Sequence, residues 1–198
     1  MSDSQIPEFE TDNGFLELIQ PRDEKYMEEL EEDIFDHGCH DAVCVWGNTI
    51  IDGHLRYSIC KKWDIRFNIR RLLFQSRDEA EAYLCAEQLK RTDLTSEYKK
   101  YLIGRLFRAD MNAASAAFLR EHPEKQPNAD GQISQKYVQK TEIATIIGKE
   151  YNFGFSTVTK YDVYARALDE IRTKGPEITN RILNGSLRVS HENVIELS

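Results

Sequence analysis

Residues 52–56 read Asp52-Gly53-His54-Leu55-Arg56, between the short apolar run 49–51 and an amphipathic stretch. A strand that turns through glycine into a helix leaves free N–H groups at the helix start. Those groups and the helix dipole together attract anions. Glycine lets the backbone come close to a bound group. His54 and Arg56 add two donors to the same turn, and Asp52 is a candidate N-cap, catalytic base or metal ligand. This spacing suits phosphate binding. The plain alternative is a capped helix start with a surface arginine, because one short motif does not establish a nucleotide site.

A second polar run, Glu87-Gln88-Leu89-Lys90-Arg91-Thr92-Asp93-Leu94, puts an acid, an amide and two cations where one helical segment ends and the next begins. In the plain alternative, Lys90 and Arg91 compensate the helix dipole. A third run holds His37, Cys39, His40 and Cys44, residue types that zinc uses. Cys44 falls in the alternating apolar run 42–46, which assigns it to a core. No zinc is expected. The four cysteines contain no C-x-x-C pair and nothing suggests export, so free thiols in a reducing cytoplasm are the expectation.

Residues 141–164 read as two helices and a tight turn. Thr141 can cap the first helix, with Glu142 in its first turn. Gly148 is the small residue for a close helix crossing, and Asn152 suits a left-handed turn position. Val158 would fill the core among Tyr151, Phe153 and Tyr161. Ser156, Thr157, Thr159 and Lys160 then fall at the start of the second helix, where such side chains reach base edges or phosphates in a major groove. An ordinary helical hairpin is the plain alternative.

The elements that position these groups follow from periodicity. Residues 1–14 lack it and read as a flexible lead-in. Residues 15–19 are a short strand candidate. Pro21 opens a helix with a stripe of Tyr26, Met27, Leu30 and Ile34 that ends near Gly38. Residues 42–46 and 49–52 are strands joined by Gly47-Asn48, a hairpin signal. Residues 54–63 carry Leu55, Ile59 and Trp63 at helical spacing, 67–74 read as a strand, and 77–91 as a helix. Asp93 or Thr95 caps the next helix, 96–111, with Tyr98, Tyr101 and Leu102 on one face. The stretch 121–132 has two prolines, one glycine and few apolar residues, so a loop is expected over 121–135. From about residue 95 onward no strand signal stands out. The tail 178–198 looks like two short helices around Asn184-Gly185, with His191 packed or capping. The chain stops while still apolar and helical, which suits either a truncated chain or a protein that lacks a C-terminal dimerisation domain. The expected domains are thus a lead-in over 1–14, an α/β domain over 15–94 and a helical domain over 95–198.

The net charge of −8 argues against a polyanion only until its distribution is read. Residues 1–40 hold 2 basic residues against 13 acids, a net of −11, and the remaining 158 residues carry +3. The acidity is local and the rest can meet nucleic acid. No stretch approaches the roughly 18 apolar residues of a membrane span, so no membrane is expected. No secretory signal stands at the N-terminus.

In order, these pieces resemble the ParB/sulfiredoxin-like superfamily, and within it the ParB-type N-terminal (ParB-like nuclease) domain followed by a helix-turn-helix domain. ParB proteins carry Q-P-R at the first helix, where this chain has Gln20-Pro21-Arg22. They carry a helix ending in glycine before a strand, here His37-Gly38. They carry G-E-R-R at the phosphate turn, here Gly53-His54-Leu55-Arg56, and E-N-x-Q-R-x-D-L, here Glu87 to Leu94. The resemblance covers roughly residues 16–108 and, more loosely, 138–198. It implies an α+β fold: a ParB/sulfiredoxin-like domain with a small mixed sheet, then an all-helical helix-turn-helix domain. It implies phosphate contacts at Gln20, Arg22, Gly53, His54, Arg56, Gln88, Lys90 and Arg91, and magnesium near Glu87 and Gln88. The implied ligand is CTP or another nucleoside triphosphate with magnesium, and the implied partners are DNA and a second copy in a homodimer. Sulfiredoxin chemistry needs a cysteine in the turn, and none occupies 53–56.

The expected function is that of a ParB-like DNA-binding protein of a plasmid, phage or chromosomal element, gated by a nucleoside triphosphate. The alternative is a phosphotransferase or nucleoside triphosphatase on the same fold, with Asp52 and Glu87 as catalytic candidates. Nuclease activity is disfavoured, because no cluster of acids for two metals stands out. A third reading is an interaction module whose acidic first helix, with Glu28, Glu29 and Glu32, docks a basic partner.

Overall fold

The computed structural model describes residues 6–122 and 140–198. The chain divides into two compact units, residues 1–75 and 76–198.

The first unit is mixed. Its elements are β1 (Glu10–Thr11), α1 (Asn13–Leu16), α2 (Glu24–His37), β2 (Cys39–Trp46), β3 (Thr49–Asp52), α3 (His54–Trp63) and β4 (Phe67–Leu72). The sheet order is β1-β3-β2-β4. β2 and β3 form the expected antiparallel hairpin, while β1 runs parallel to β3 and β4 parallel to β2. Gly47, at φ 59°, makes the hairpin turn. Parallel strands need a crossover, and between β2 and β4 the chain makes it through β3 and α3. Val43, Val45 and Ile50 are fully buried beneath Tyr57 of α3, with Phe67 and Ile69 of β4 beside them. A second cluster joins Ile34 of α2 to Cys39, Ile59 and Cys60. All four cysteines are free and buried, and burial raises the Cys60 thiol pKa.

Several local expectations are corrected. Residues 15–19 do not form a strand. Asp12 accepts a hydrogen bond from the Phe15 amide at 3.2 Å and caps the single helical turn of α1, which buries Phe15, and Leu18 just beyond it is buried too. A short apolar run is ambiguous between strand and helix, and here the cap decides it. The strand lies earlier, at residues 10–11. The supposed lead-in is therefore held from residue 8 onward: Glu8 pairs with Lys61 at 2.5 Å, and the Phe9 amide donates to the Tyr57 hydroxyl at 3.1 Å. α2 begins at Glu24 rather than at Pro21, because Asp23 caps it by accepting from the Tyr26 amide at 2.8 Å. Its buried contact is Ile34, while Tyr26 and Met27 are exposed. In α3 the buried face is Tyr57, Ile59 and Cys60, and Trp63 is exposed.

The second unit is helical among its described residues: α4 (Arg77–Leu89), α5 (Ser96–Glu121), α6 (Lys140–Tyr151), α7 (Phe155–Lys174), α8 (Pro176–Leu183) and α9 (His191–Leu197). The division at residues 75 and 76 places α4 with these helices, not with the sheet. Arg105 of α5 bonds Glu81 at 2.9 Å, and Asn112 bonds Asp78 at 2.9 Å. Thr95, not Asp93, caps α5 by accepting from the Tyr98 amide. α5 continues ten residues past Met111. The expected loop at 121–135 lies, from 123 on, outside the described residues.

α5 and α7 meet at Gly104, where a Cβ would stand 2.1 Å from the Tyr161 carbonyl oxygen. A cluster of charges locks the same pair of helices. Asp169 accepts from Tyr101 at 2.7 Å, Arg105 at 3.1 Å and Arg108 at 2.7 Å, while Asp162 accepts from Arg108 at 2.9 Å. Gly185, at φ 79°, turns the chain between α8 and α9. His191 stacks on Tyr164 with ring centroids 4.8 Å apart, so it is a packed residue. No described helix is long and apolar enough to cross a membrane.

Candidate functional site

The Gly53 turn joins β3 to α3. Gly53 sits at φ 91°, a conformation L side chains rarely adopt. A Cβ there would lie 3.0 Å from Arg56 Nη2 and 3.3 Å from the Val43 Cα. Its carbonyl accepts the first helical bond, from the Tyr57 amide at 2.9 Å. No side chain caps the helix, so the first-turn amides of His54, Leu55 and Arg56 are left for another acceptor. Gly53 is buried and His54 half-buried.

Asp52, Gly53, His54 and Arg56 come together in this turn. Arg56 Nη2 donates to Asp52 Oδ2 at 3.2 Å and to the Ala42 carbonyl at 3.3 Å. The Ala42 contact ties the arginine to β2, and nothing in the sequence pattern pointed to it. Arg56 Nε is buried and makes no hydrogen bond, and neither do Nδ1 and Nε2 of His54. Burial lowers the His54 pKa below the usual histidine value. The Asp52 carboxylate and the Ile50 carbonyl work against that shift, and Arg56 works with it. The turn thus holds free first-turn amides, a buried neutral imidazole and an unpaired Arg56 Nε, next to one carboxylate already engaged with the arginine. Free amides at a helix start are groups that can receive an anion.

The other first-unit candidates are placed as follows. Gln20 is buried after α1, and Arg22 lies over the Tyr26 ring, 4.2 Å from its centroid. The His37/Cys39/His40/Cys44 run is spread along α2 and β2. His37 bonds Asp33 at 3.1 Å, and the Cys39 thiol donates to the Asp41 carbonyl at 3.3 Å.

Glu87, Gln88, Lys90 and Arg91 lie in the second unit, at the end of α4. Glu87 pairs with Lys90 at 2.5 Å. Gln88 is buried, and its Oε1 accepts from Arg91 at 2.9 Å. Arg91 also makes two bonds to Asp93, at 3.1 and 2.8 Å. A magnesium ion bound by Glu87 and Gln88 would have to displace two cations from those oxygens. As they stand, these side chains do not fit a divalent metal. No cluster of three metal-ligating side chains occurs among the described residues.

α6 and α7 are joined by Asn152, Phe153 and Gly154. Asn152 adopts φ 62°, and the Phe153 amide bonds the Gly148 carbonyl at 2.8 Å. A Cβ on Gly148 would come within 2.4 Å of the Phe153 carbonyl oxygen. Gly148 is therefore required by the turn itself; the close-crossing glycine of this unit is Gly104, which the sequence reading missed. Val158 is fully buried, and Phe153 meets Tyr161 edge to face at 5.4 Å. Ser156 and Lys160 are exposed, and Thr157 and Thr159 half-buried. The Thr159 hydroxyl donates to the Ser156 carbonyl at 3.0 Å.

No protein-family model matches the chain. No curated protein matches it either. Solved structures do. One, of a pNOB8-like ParB N-domain, aligns over 95% of this chain and 74% of its own length, with a TM-score of 0.56 and 18% identity. A second structure described as a pNOB8-like ParB N-domain aligns over 95% of this chain and 70% of its own, with a TM-score of 0.55 and 18% identity. At this identity the likeness is one of fold, and the fold of this chain is that of a ParB N-domain.

Proposed function

We propose that the chain is a ParB-like DNA-binding protein that serves partition of a plasmid, phage or chromosomal element as a homodimer, and that a nucleoside triphosphate bound at the Gly53 turn gates it. The observation that carries this reading is the uncapped start of α3, whose first-turn amides are free beside His54, with both ring nitrogens buried, and Arg56, whose Nε has no hydrogen-bond partner. The ParB N-domain fold supports the assignment. DNA would be met by the start of α7, read as the recognition helix of a helix-turn-helix unit, through Ser156, Thr157, Thr159 and Lys160.

A thermal-shift panel with CTP, ATP, GTP, UTP and ADP, each with magnesium, tests the gate. A ligand at about 100 times its dissociation constant adds about 2.7 kcal/mol, a rise on the order of 5–10 °C for a chain of this size. Arg56→Ala should abolish the rise. Binding of a labelled duplex, with and without the best nucleotide, then reads the coupling. No shift with any nucleotide would remove the gate and leave a ParB-like scaffold for a DNA-binding helix.

A further inference from the structure

The first unit holds twice as many acids as bases, 16 against 8. Most of its bases are engaged. Lys25 pairs with Glu29, Arg56 with Asp52, Lys61 with Glu8 and Lys62 with Glu31, and Arg22 lies over Tyr26. Arg66, Arg70 and Arg71 are exposed and make no ion pair with a described residue. In a unit so rich in acid, unpaired arginines are expected only where the fold keeps them from the carboxylates. All three sit on or beside β4, an edge strand of the sheet, where Arg66 and Arg70 share one face and Arg71 takes the other. Leu73, which follows them, is 93% exposed.

The matching surface lies on α2 of the same unit. Glu28, Glu32 and Asp36 form one ridge at four-residue spacing, a placement that weakens a helix by like-charge repulsion. None of them pairs with a described cation. Beside them a groove is lined by Glu31, Phe35 and Trp63. Phe35 and Trp63 are exposed and meet edge to face at 5.3 Å. Glu31 receives hydrogen bonds from Lys62 and from Trp63 Nε1, which fix the indole and hold the Glu31 carboxyl below its usual pKa. Carboxylates beside aromatic faces suit arginine, which bridges the first through its planar fork and stacks on the second. The lengths agree as well. Eight residues of helix from Glu28 to Asp36 rise about 12 Å, and four residues of strand from Arg66 to Arg70 rise about 13 Å.

We infer that the α2 ridge and its Phe35–Trp63 groove receive the β4 arginine row of a second copy of this chain. The inference rests on the homodimer reading above and assigns it a surface. Two complementary patches sit on one unit without pairing to each other, and a second copy brings them together. Sedimentation velocity on the full chain tests this without nucleotide or DNA. Wild-type protein at about 50 mM salt should exceed the 23.0 kDa monomer mass, and about 0.5 M salt should disperse it. Reversing the ridge (Glu28→Arg, Glu32→Arg, Asp36→Arg) or the row (Arg66→Glu, Arg70→Glu, Arg71→Glu) should each weaken association at least about tenfold. Mixing the two variants should restore it, because intact ridges then meet intact rows. Thermal melts check the fold of each variant, and the milder Trp63→Ala should weaken association in the same direction.

Association that is unchanged in both reversals refutes this surface and leaves self-association standing. A monomer under all conditions refutes both. Variants that stay apart when mixed, while melting like wild type, also refute the surface.

Discussion

Replacing Gly104 with alanine is expected to destabilise the helical unit, although alanine is the better helix former. In an open helix the change would gain about 1 kcal/mol. Here the new methyl would stand 2.1 Å from the Tyr161 carbonyl oxygen, 2.5 Å from its carbon and 2.9 Å from the Ala165 Cβ. The first two are backbone atoms of α7 and cannot rotate away, so α5 and α7 must separate by about 1 Å to reach ordinary contact. Separation also stretches the bonds from Arg105 and Arg108 to Asp169, now 3.1 and 2.7 Å. Overpacking of this kind costs about 1–3 kcal/mol from side-chain clashes alone and more against backbone. A net loss of about 2–4 kcal/mol after the propensity gain is the expected outcome. The melting temperature should fall on the order of 5–15 °C, as read by circular dichroism with urea titration as a second measure. Gly154→Ala is the control, since nothing lies within 4 Å of a Cβ there, and it should change stability by less than about 1 kcal/mol. A Gly104→Ala protein that melts at or above the wild-type temperature would refute the close-approach argument.

Two further perturbations bear on the same unit. Asp169→Ala removes the shared acceptor of Tyr101, Arg105 and Arg108 and leaves each guanidinium with one carboxylate, Glu81 for Arg105 and Asp162 for Arg108, so a loss of about 1–3 kcal/mol is expected in a urea unfolding curve. A loss under about 1 kcal/mol would mean that the arginines find water or other acceptors. Asp110 is held at a pKa of about 6, chiefly by burial and then by Glu150. A carboxyl raised in the folded state contributes stability that is present below its unfolded value of 3.8 and lost as pH rises through about 6. Asp110→Asn should therefore stabilise the chain at pH 7.5, by about 1–2 kcal/mol after discounting the carboxyl's partial exposure. That gain should shrink as pH falls from about 6 to about 4, and a gain independent of pH would contradict the assignment.

Sequence by itself determined much of this protein. The apolar runs 42–46 and 49–52 on either side of Gly47-Asn48 marked the hairpin, and both of its faces are buried at Cys44 and Val45 and at Ile50 and Ile51. Asp52-Gly53 could only turn a strand into a helix. Asn152 and Val158, six residues apart, announced the turn and plug of α6 and α7. These signals are local, because the residues that cause each feature adjoin it in the chain. Tertiary structure decided the rest. α4 left the sheet domain through bonds from Arg105 and Asn112, some 24 and 34 residues away in sequence. The demand for glycine at 104 comes from Tyr161, and the tether on Arg56 from Ala42 on β2. The exposure of Trp63, the pairing of Glu87 and Gln88 with cations, and the unpaired row on β4 likewise depend on which surfaces meet. Period and propensity report a residue's own neighbourhood along the chain, whereas close approach, pairing and burial are set by atoms that folding brings from far along it.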